Sequence, residues 1–199
     1  TDFARRRSVG LRALELEEGD VLMGTAITDG SADVMLLSTE GKAVRFREGD
    51  VRAMGRTARG VRGIKLGAGH QMISLIIPAE GGRILSLSEN GYGKRTEVSD
   101  FPTKGRGTMG VKAIQSSERN GRMVGATQVF DGDELMLISN QGTMVRTRAD
   151  EVSIQGRNTQ GVRVIRTKVG ETLVGVARIE EPDDEAVEGE VIEGEERGE

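Results

Sequence analysis

The sequence has no cysteine and no tryptophan, one tyrosine, one histidine and three prolines in 199 residues. Without cysteine there is neither a disulfide framework nor a thiolate metal site, as suits a reducing compartment. No apolar run approaches the roughly 18 residues of a membrane span. The basic start, Arg5-Arg6-Arg7, has no signal-peptide stretch behind it. A cytoplasmic protein without a membrane partner is expected. Aromatic residues stand only at Phe3, Phe46, Tyr92, Phe101 and Phe130, so a core must be built from Val, Ile, Leu and Met. So few rings cannot make the stacking platform on which single-stranded nucleic acid is held.

The same scarcity argues against catalysis within the chain. His70 sits in Gly69-His70-Gln71 with no partner in sequence, and Tyr92, in Gly91-Tyr92-Gly93, reads as a packing or rim residue rather than a nucleophile. Gly55 and Gly60 have the glycine spacing of a phosphate loop, but Val61 stands where lysine is required. Acidic pairs such as Glu17-Glu18 and Asp183-Asp184 lack the ligand spacing of a metal site. No catalytic residue, metal site or cofactor is expected in this chain.

Charge is abundant and unevenly placed. Twenty-seven of the 28 basic residues but only 21 of the 32 acidic ones precede position 180, so the body carries +6 and the last twenty residues −10. A basic body points to a polyanionic partner. The acidic segment, 180–199, reads as a disordered tail, and its tether would let it compete with a polyanion for the basic surface.

Against this background one feature recurs. Gly10, Gly60, Gly110 and Gly161, in steps of 50, 50 and 51, are each followed by an aliphatic residue and then by Arg12, Arg62, Lys112 or Arg163. Such a period marks a repeat architecture whose units bury their apolar faces against one another. Each repeat holds four short apolar runs. The first is Val34-Met35-Leu36-Leu37 and its counterparts at 84–87 and 135–138. A turn signal follows at Glu40-Gly41, Asn90-Gly91 or Gln141-Gly142, where glycine supplies the positive φ of a tight hairpin. The second run returns through Val44-Arg45-Phe46, Lys94-Arg95-Thr96 or Val145-Arg146-Thr147. A connection then carries an apolar anchor (Val51, Phe101, Val152) and a glycine-arginine pair, Gly55-Arg56, Gly105-Arg106 or Gly156-Arg157.

The third run follows the periodic glycine; Ile64 and Leu66 alternate with Lys65 there, as in a half-exposed strand. The fourth lies at 72–77, 123–128 and 173–178, with an earlier copy at 22–27. Runs this short, rich in β-branched residues and punctuated by glycine, are strands. The expected fold is all-β, with four-stranded blades at a period of about 50 residues: a partial blade in 1–30 and full repeats at 31–80, 81–131 and 132–179.

A lone surface arginine is usually a solvated charge. Here arginine or lysine returns at the same place in successive repeats, so stacked blades present rows of positive charge, the footprint of a nucleic-acid backbone. Duplex is favoured over single strands, with contacts mostly to phosphates, because no recognition helix or zinc finger is present to read base edges. Binding along a curved surface implies bending, which costs about 1 to 6 kcal/mol over 20 to 30 base pairs.

The stretch Met54-Gly55-Arg56-Thr57-Ala58-Arg59-Gly60-Val61-Arg62-Gly63-Ile64, with Asn90-Gly91-Tyr92-Gly93-Lys94-Arg95-Thr96 and Arg106-Gly107-Thr108-Met109-Gly110-Val111-Lys112, closely resembles the C-terminal domain of bacterial DNA gyrase A. The resemblance covers nearly the whole chain. It implies a β-pinwheel, a propeller-like ring of blades that exchange strands, whose basic rim wraps duplex DNA for negative supercoiling. It also implies assembly with the remainder of gyrase A and with gyrase B in an A2B2 holoenzyme, an ATP-dependent type II topoisomerase. Cleavage, ATP and Mg belong to other parts of that enzyme.

Carried onto this sequence, the DNA-binding candidates are Arg45, Arg95 and Arg146; Arg56, Arg106 and Arg157; Arg62, Lys112 and Arg163; and Arg59, Lys94 and Lys104. The family's ring has six blades, and its glutamine-arginine-arginine-glycine-glycine box is absent here, so the resemblance implies a C-terminal fragment with an incomplete ring. The related domain of topoisomerase IV and a protein-binding propeller are the alternatives.

Overall fold

The computed structural model describes residues 9–179, so the acidic segment at 180–199 lies outside the described residues. The described chain is all-β apart from three short 3-10 turns, Glu48–Asp50, Val98–Asp100 and Ala149–Glu151. Strands β1 (Asp33–Ser38), β2 (Lys42–Arg47) and β3 (Met72–Ile76) come from one repeat. The next supplies β4 (Arg83–Ser88), β5 (Tyr92–Glu97), β6 (Val111–Lys112) and β7 (Met123–Val129), and the last supplies β8 (Glu134–Ser139), β9 (Met144–Arg148), β10 (Val162–Arg163) and β11 (Leu173–Ile179).

Each blade is nucleated by a hairpin. β1 and β2 pair antiparallel with Val34 opposite Phe46 and Leu36 opposite Val44, and β4–β5 and β8–β9 repeat the arrangement. The turn glycines have the expected positive φ, at 75° for Gly41, 78° for Gly91 and 79° for Gly142. The first and last runs of a repeat then join, β1 with β3, β4 with β7 and β8 with β11.

The third run leaves its own repeat. β6 pairs with β2 and β10 with β5, so the sheets run β3-β1-β2-β6, β10-β5-β4-β7 and β11-β8-β9. Ala113 and Ile114 both donate their main-chain N–H to the carbonyl of Gly41, at 2.7 and 3.2 Å, and Val164 and Ile165 do the same to Gly91, at 2.8 and 3.2 Å. The periodic glycine marks this crossing. A Cβ on Gly110 would sit 2.2 Å from the Ala43 carbonyl oxygen, and one on Gly161 2.4 Å from that of Gly93, while φ is +73° and +79°.

Two expected strands are not formed. Residues 61–66 contribute only a bridge from Ile64 to Thr108, and 22–27 carry no strand. By the pattern of the other repeats, a third run needs the hairpin of the preceding blade and a fourth run needs its own, and neither hairpin lies among the described residues.

The core lies between blades as much as within them. Met35, Leu37 and Ala43 of the first blade share one cluster with Ile84, Phe101, Ile114 and Met123 of the second. Leu85, Leu87 and Val129 share another with Leu135, Leu137, Val152 and Leu173. The anchors show the dependence directly: Phe101 and Val152, each plugged into the preceding blade, are 1% and 0% exposed, whereas Val51 is 37% exposed. Full burial of such a side chain contributes about 1.5 to 3 kcal/mol, so each blade is stabilised by its neighbour.

Candidate nucleic-acid interface

The periodic cations separate into two kinds. Arg45 pairs with Asp33, Nε to Oδ2 at 2.7 Å, and donates through Nη1 to the carbonyls of Val98 and Phe101, at 2.9 and 3.1 Å. Arg95 repeats this one blade on, with Nε 2.7 Å from the Val152 carbonyl and Nη1 3.1 and 3.3 Å from Asp131 and Asp150. Both guanidinium groups thus hold the 3-10 turn of the following repeat. Their side chains are 20% and 7% exposed, while that of Arg146, bonded to Glu134 with no following repeat among the described residues, is 57% exposed. Arg45 and Arg95, expected on a DNA-facing rim, thus lie with their donors taken up in a joint between blades.

Lys94, also expected at the rim, lies in a joint of the same kind. It is fully buried, and its ammonium donates to the carbonyls of Gly156, at 2.6 Å, and Arg157, and to Thr159 Oγ1 at 3.2 Å. Desolvation, with help from the Arg157 charge and some opposition from Asp100, pushes its pKa down to about 8. Lys94 holds the loop of the glycine-arginine pair in place and is closed to solvent.

The other two rows interlock. Arg56 donates through Nη1 to the carbonyl of Arg12, Arg106 to that of Arg62 and Arg157 to that of Lys112, each at 3.1 Å. Arg106 adds a bond from Nε to the Asp50 carbonyl at 3.0 Å. The half-buried arginine of one repeat is thereby fastened to the main chain of the exposed cation in the repeat before it. The result is a ladder, Arg12, Arg56, Arg62, Arg106, Lys112, Arg157 and Arg163, that follows the array across its blade boundaries. No carboxylate among the described residues lies within ion-pair distance of Arg62, Arg106, Lys112, Arg157 or Arg163. Lys104 is exposed beside this file, its main-chain N–H donating to the Arg45 carbonyl at 2.8 Å. Arg59 is exposed too, but Glu15 and Glu17 lie 3.7 and 3.2 Å away and partly neutralise it.

Sequence reasoning missed one group. Tyr92 is buried at the start of β5, opposite Arg163 of β10, and its Oη accepts hydrogen bonds from Arg163 Nη2 at 2.8 Å and Arg119 Nε at 3.2 Å. The two guanidinium carbons stand 5.2 and 5.1 Å from the ring centre. These bonds, that of Arg119 first, lower the phenol's pKa. Arg119 carries no periodic signal, since Gly69 stands fifty residues before it and Gly170 fifty-one after.

An array of this kind can hold an extended polyanion by charge and hydrogen bonding. A family model described as DNA gyrase C-terminal domain, beta-propeller matches residues 2–29, 32–79, 82–129 and 133–180. The DNA gyrase A protein of Pseudomonas aeruginosa is 56% identical over 192 residues, and that of Escherichia coli strain K12 is 52% identical over 198. The alignments cover 94% and 98% of this chain but 21% and 23% of those proteins, so the chain spans less than a quarter of the length of the relatives it matches. A solved DNA gyrase A C-terminal domain superposes with a TM-score of 0.77 at 32% identity, covering 85% of this chain and 58% of that one. The C-terminal domain of a DNA topoisomerase IV shares the fold, with a TM-score of 0.83 at 21% identity over 90% of this chain and 56% of that one. With four repeats matched in register and three blades joined by exchanged strands, the chain belongs to the DNA gyrase A C-terminal domain family, and its fold is the β-pinwheel.

Proposed function

We propose that this chain binds duplex DNA without sequence specificity and bends it along the array, as the wrapping module of a DNA gyrase. The observation that carries this reading is the ladder: half-buried Arg56, Arg106 and Arg157 fasten the main chain of exposed Arg12, Arg62 and Lys112. Phosphate contacts are assigned to Arg56, Arg62, Lys104, Arg106, Lys112, Arg157 and Arg163, with Arg59 contributing once it is released from Glu15 and Glu17. In the whole enzyme the wrap would present a DNA segment for ATP-dependent strand passage in the cytoplasm. The remainder of gyrase A and gyrase B, assembled as A2B2, would supply cleavage and the use of ATP and Mg.

Salt titration of duplex binding tests the reading. With 6 to 10 phosphate contacts, affinity should fall by about 10³ to 10⁵ between 50 and 200 mM salt. A flat dependence, or no binding to duplex, would reject it in favour of an acidic protein partner. Relaxing a closed plasmid with a type I topoisomerase while the protein is bound then reads the wrap: a positive linking-number shift is expected.

A further inference from the structure

Tyr92, Arg119 and Arg163 form an arrangement that neither the repeat nor the joint between blades requires. The equivalent positions in the flanking hairpins are Lys42 and Thr143, so the arrangement exists once along the array. Two guanidinium groups converge on one oxygen from different elements, Arg163 from a strand of the next repeat and Arg119 from the loop between β6 and β7. Their bonding nitrogens lie within 6.0 Å of each other, and no carboxylate among the described residues pairs with either. Like charges gathered around a neutral hydroxyl repel one another and favour an anion between them.

The donors for such an anion are present. A guanidinium carries five N–H groups, and among the described residues the side chains of Arg119 and Arg163 each donate one hydrogen bond, to Tyr92. The Tyr92 hydroxyl accepts both bonds, and its own proton has no acceptor among the described residues.

The loop that carries Arg119 is held in advance. Asn120, fully buried, accepts from the Ser117 N–H and hydroxyl at 2.7 and 2.9 Å and donates to the Gln115 carbonyl at 2.8 Å. Asn90, two residues before Tyr92, donates to the carbonyl of Arg119 at 3.2 Å. Donors fixed before the ligand arrives cost less to order on binding.

We propose that Arg119 and Arg163 grip a single phosphodiester of bound duplex DNA, with Tyr92 as the positioning residue that holds the two guanidinium groups together. This rests on the duplex-binding reading above. Because it occurs once, the cradle sets the register of the DNA on the array, while the ladder supplies affinity along it.

The chain has one tyrosine and no tryptophan, so tyrosine labelled with ¹³C at Cζ gives a single resonance, and that resonance belongs to the cradle. Titration with a 25-base-pair duplex should shift it in step with binding and restore it at high salt. Arg119→Ala should weaken binding about five- to tenfold, and the Arg119→Ala/Arg163→Ala pair should reduce the salt slope by about 0.9, one phosphate. Tyr92→Phe keeps the ring and removes the hydroxyl. It should weaken binding about threefold and make the Arg119→Ala and Arg163→Ala effects additive where they are coupled in the unmodified chain, with the Arg62→Ala effect unchanged. A merely structural tyrosine would alter all three alike. The unmodified chain and the exposed-loop variant Arg119→Ala keep the test decisive should Tyr92→Phe fold poorly. A resonance that stays still while duplex binds, or an Arg119→Ala variant that binds as tightly as the parent, overturns the cradle and leaves the wrapping reading intact. No duplex binding by the unmodified chain overturns both.

Discussion

Arg106 and Arg62 are joined across a blade boundary, the guanidinium of the first donating to the main-chain carbonyl of the second at 3.1 Å. The bond fixes backbone, leaving the Arg62 side chain exposed at the surface. The two residues should therefore fail differently. Arg106→Ala removes hydrogen bonds to two carbonyls, those of Arg62 and Asp50, and should cost about 1 to 2 kcal/mol of stability together with duplex affinity. Arg62→Ala should lower duplex affinity with a stability change within about 0.5 kcal/mol. Urea denaturation beside a binding isotherm separates the two; equal stability losses would mean that the ladder is not built from an inner and an outer leg.

Arg95 and Arg146 occupy the same place in successive repeats and differ in what covers them. Arg95→Ala leaves the Val152 and Asp150 carbonyls without their donor and takes one of three partners from the Asp150 carboxylate, which keeps Arg148 and the Gly132 N–H; the lost bonds should cost about 3 kcal/mol. Arg146→Ala removes a pair with Glu134 on an exposed edge and should cost less than about 1 kcal/mol. The comparison of urea midpoints is direct, and similar losses would refute the assignment of Arg95 to the joint.

That contrast also locates what could be read from residues alone. The hairpins were legible because the short runs Val34-Met35-Leu36-Leu37 and Val44-Arg45-Phe46 flank a turn glycine, a local signal. Strand exchange left no such signal: β6 is two residues long, too short for periodicity, and its partner Lys42 lies seventy residues earlier than Lys112. The rows of charge were visible as spacing, but spacing cannot tell a rim from a joint. Lys94, Arg95 and Thr96 are consecutive and all buried, because the next repeat covers the face that alternation would leave in water. The strands expected at 22–27 and 61–66 have the right composition but lack, among the described residues, the hairpin that each would pair with; Ile64 packs only by its side chain against Leu36, Val44 and Phe46. Arg119 was invisible because it does not recur, and only its bond to Tyr92 singles it out.

Lys94 gives the fold a pH dependence whose sign follows from its burial. Its ordinary value of 10.5 is pushed down to about 8 in the folded chain. Between those values the unfolded chain binds more protons, so this group's contribution makes stability rise with pH from about 8 to about 10.5 and level off beyond. Below pH 8 the ammonium is charged in both states and the cost of burying it is fully present. The urea midpoint, measured from pH 7.5 to 10.5, should rise more in the parent chain than in Lys94→Met. Parallel curves would show that Lys94 keeps an ordinary pKa.

The recurring glycines are alike in sequence and unlike in what they touch. Gly110 and Gly60 both have positive φ, at 73° and 90°, but a Cβ at Gly110 would stand 2.2 Å from the Ala43 carbonyl oxygen and one at Gly60 would meet nothing within 4 Å. Alanine at position 60 should therefore cost only the left-handed backbone, about 1 to 2 kcal/mol. At position 110 the same substitution adds a collision with main chain, which cannot move aside as a flexible side chain can. It should lift β6 off β2 and cost about 3 to 5 kcal/mol in all. Hydrogen exchange then reads where the damage falls. In Gly110→Ala the amides of Ala113 and Ile114, which donate to Gly41 across the blade boundary, should lose protection. In Gly60→Ala they should keep it. Equal stability losses, or protected amides at 113 and 114 in Gly110→Ala, would mean that the glycine period is set by backbone conformation alone and not by the crossing from blade to blade.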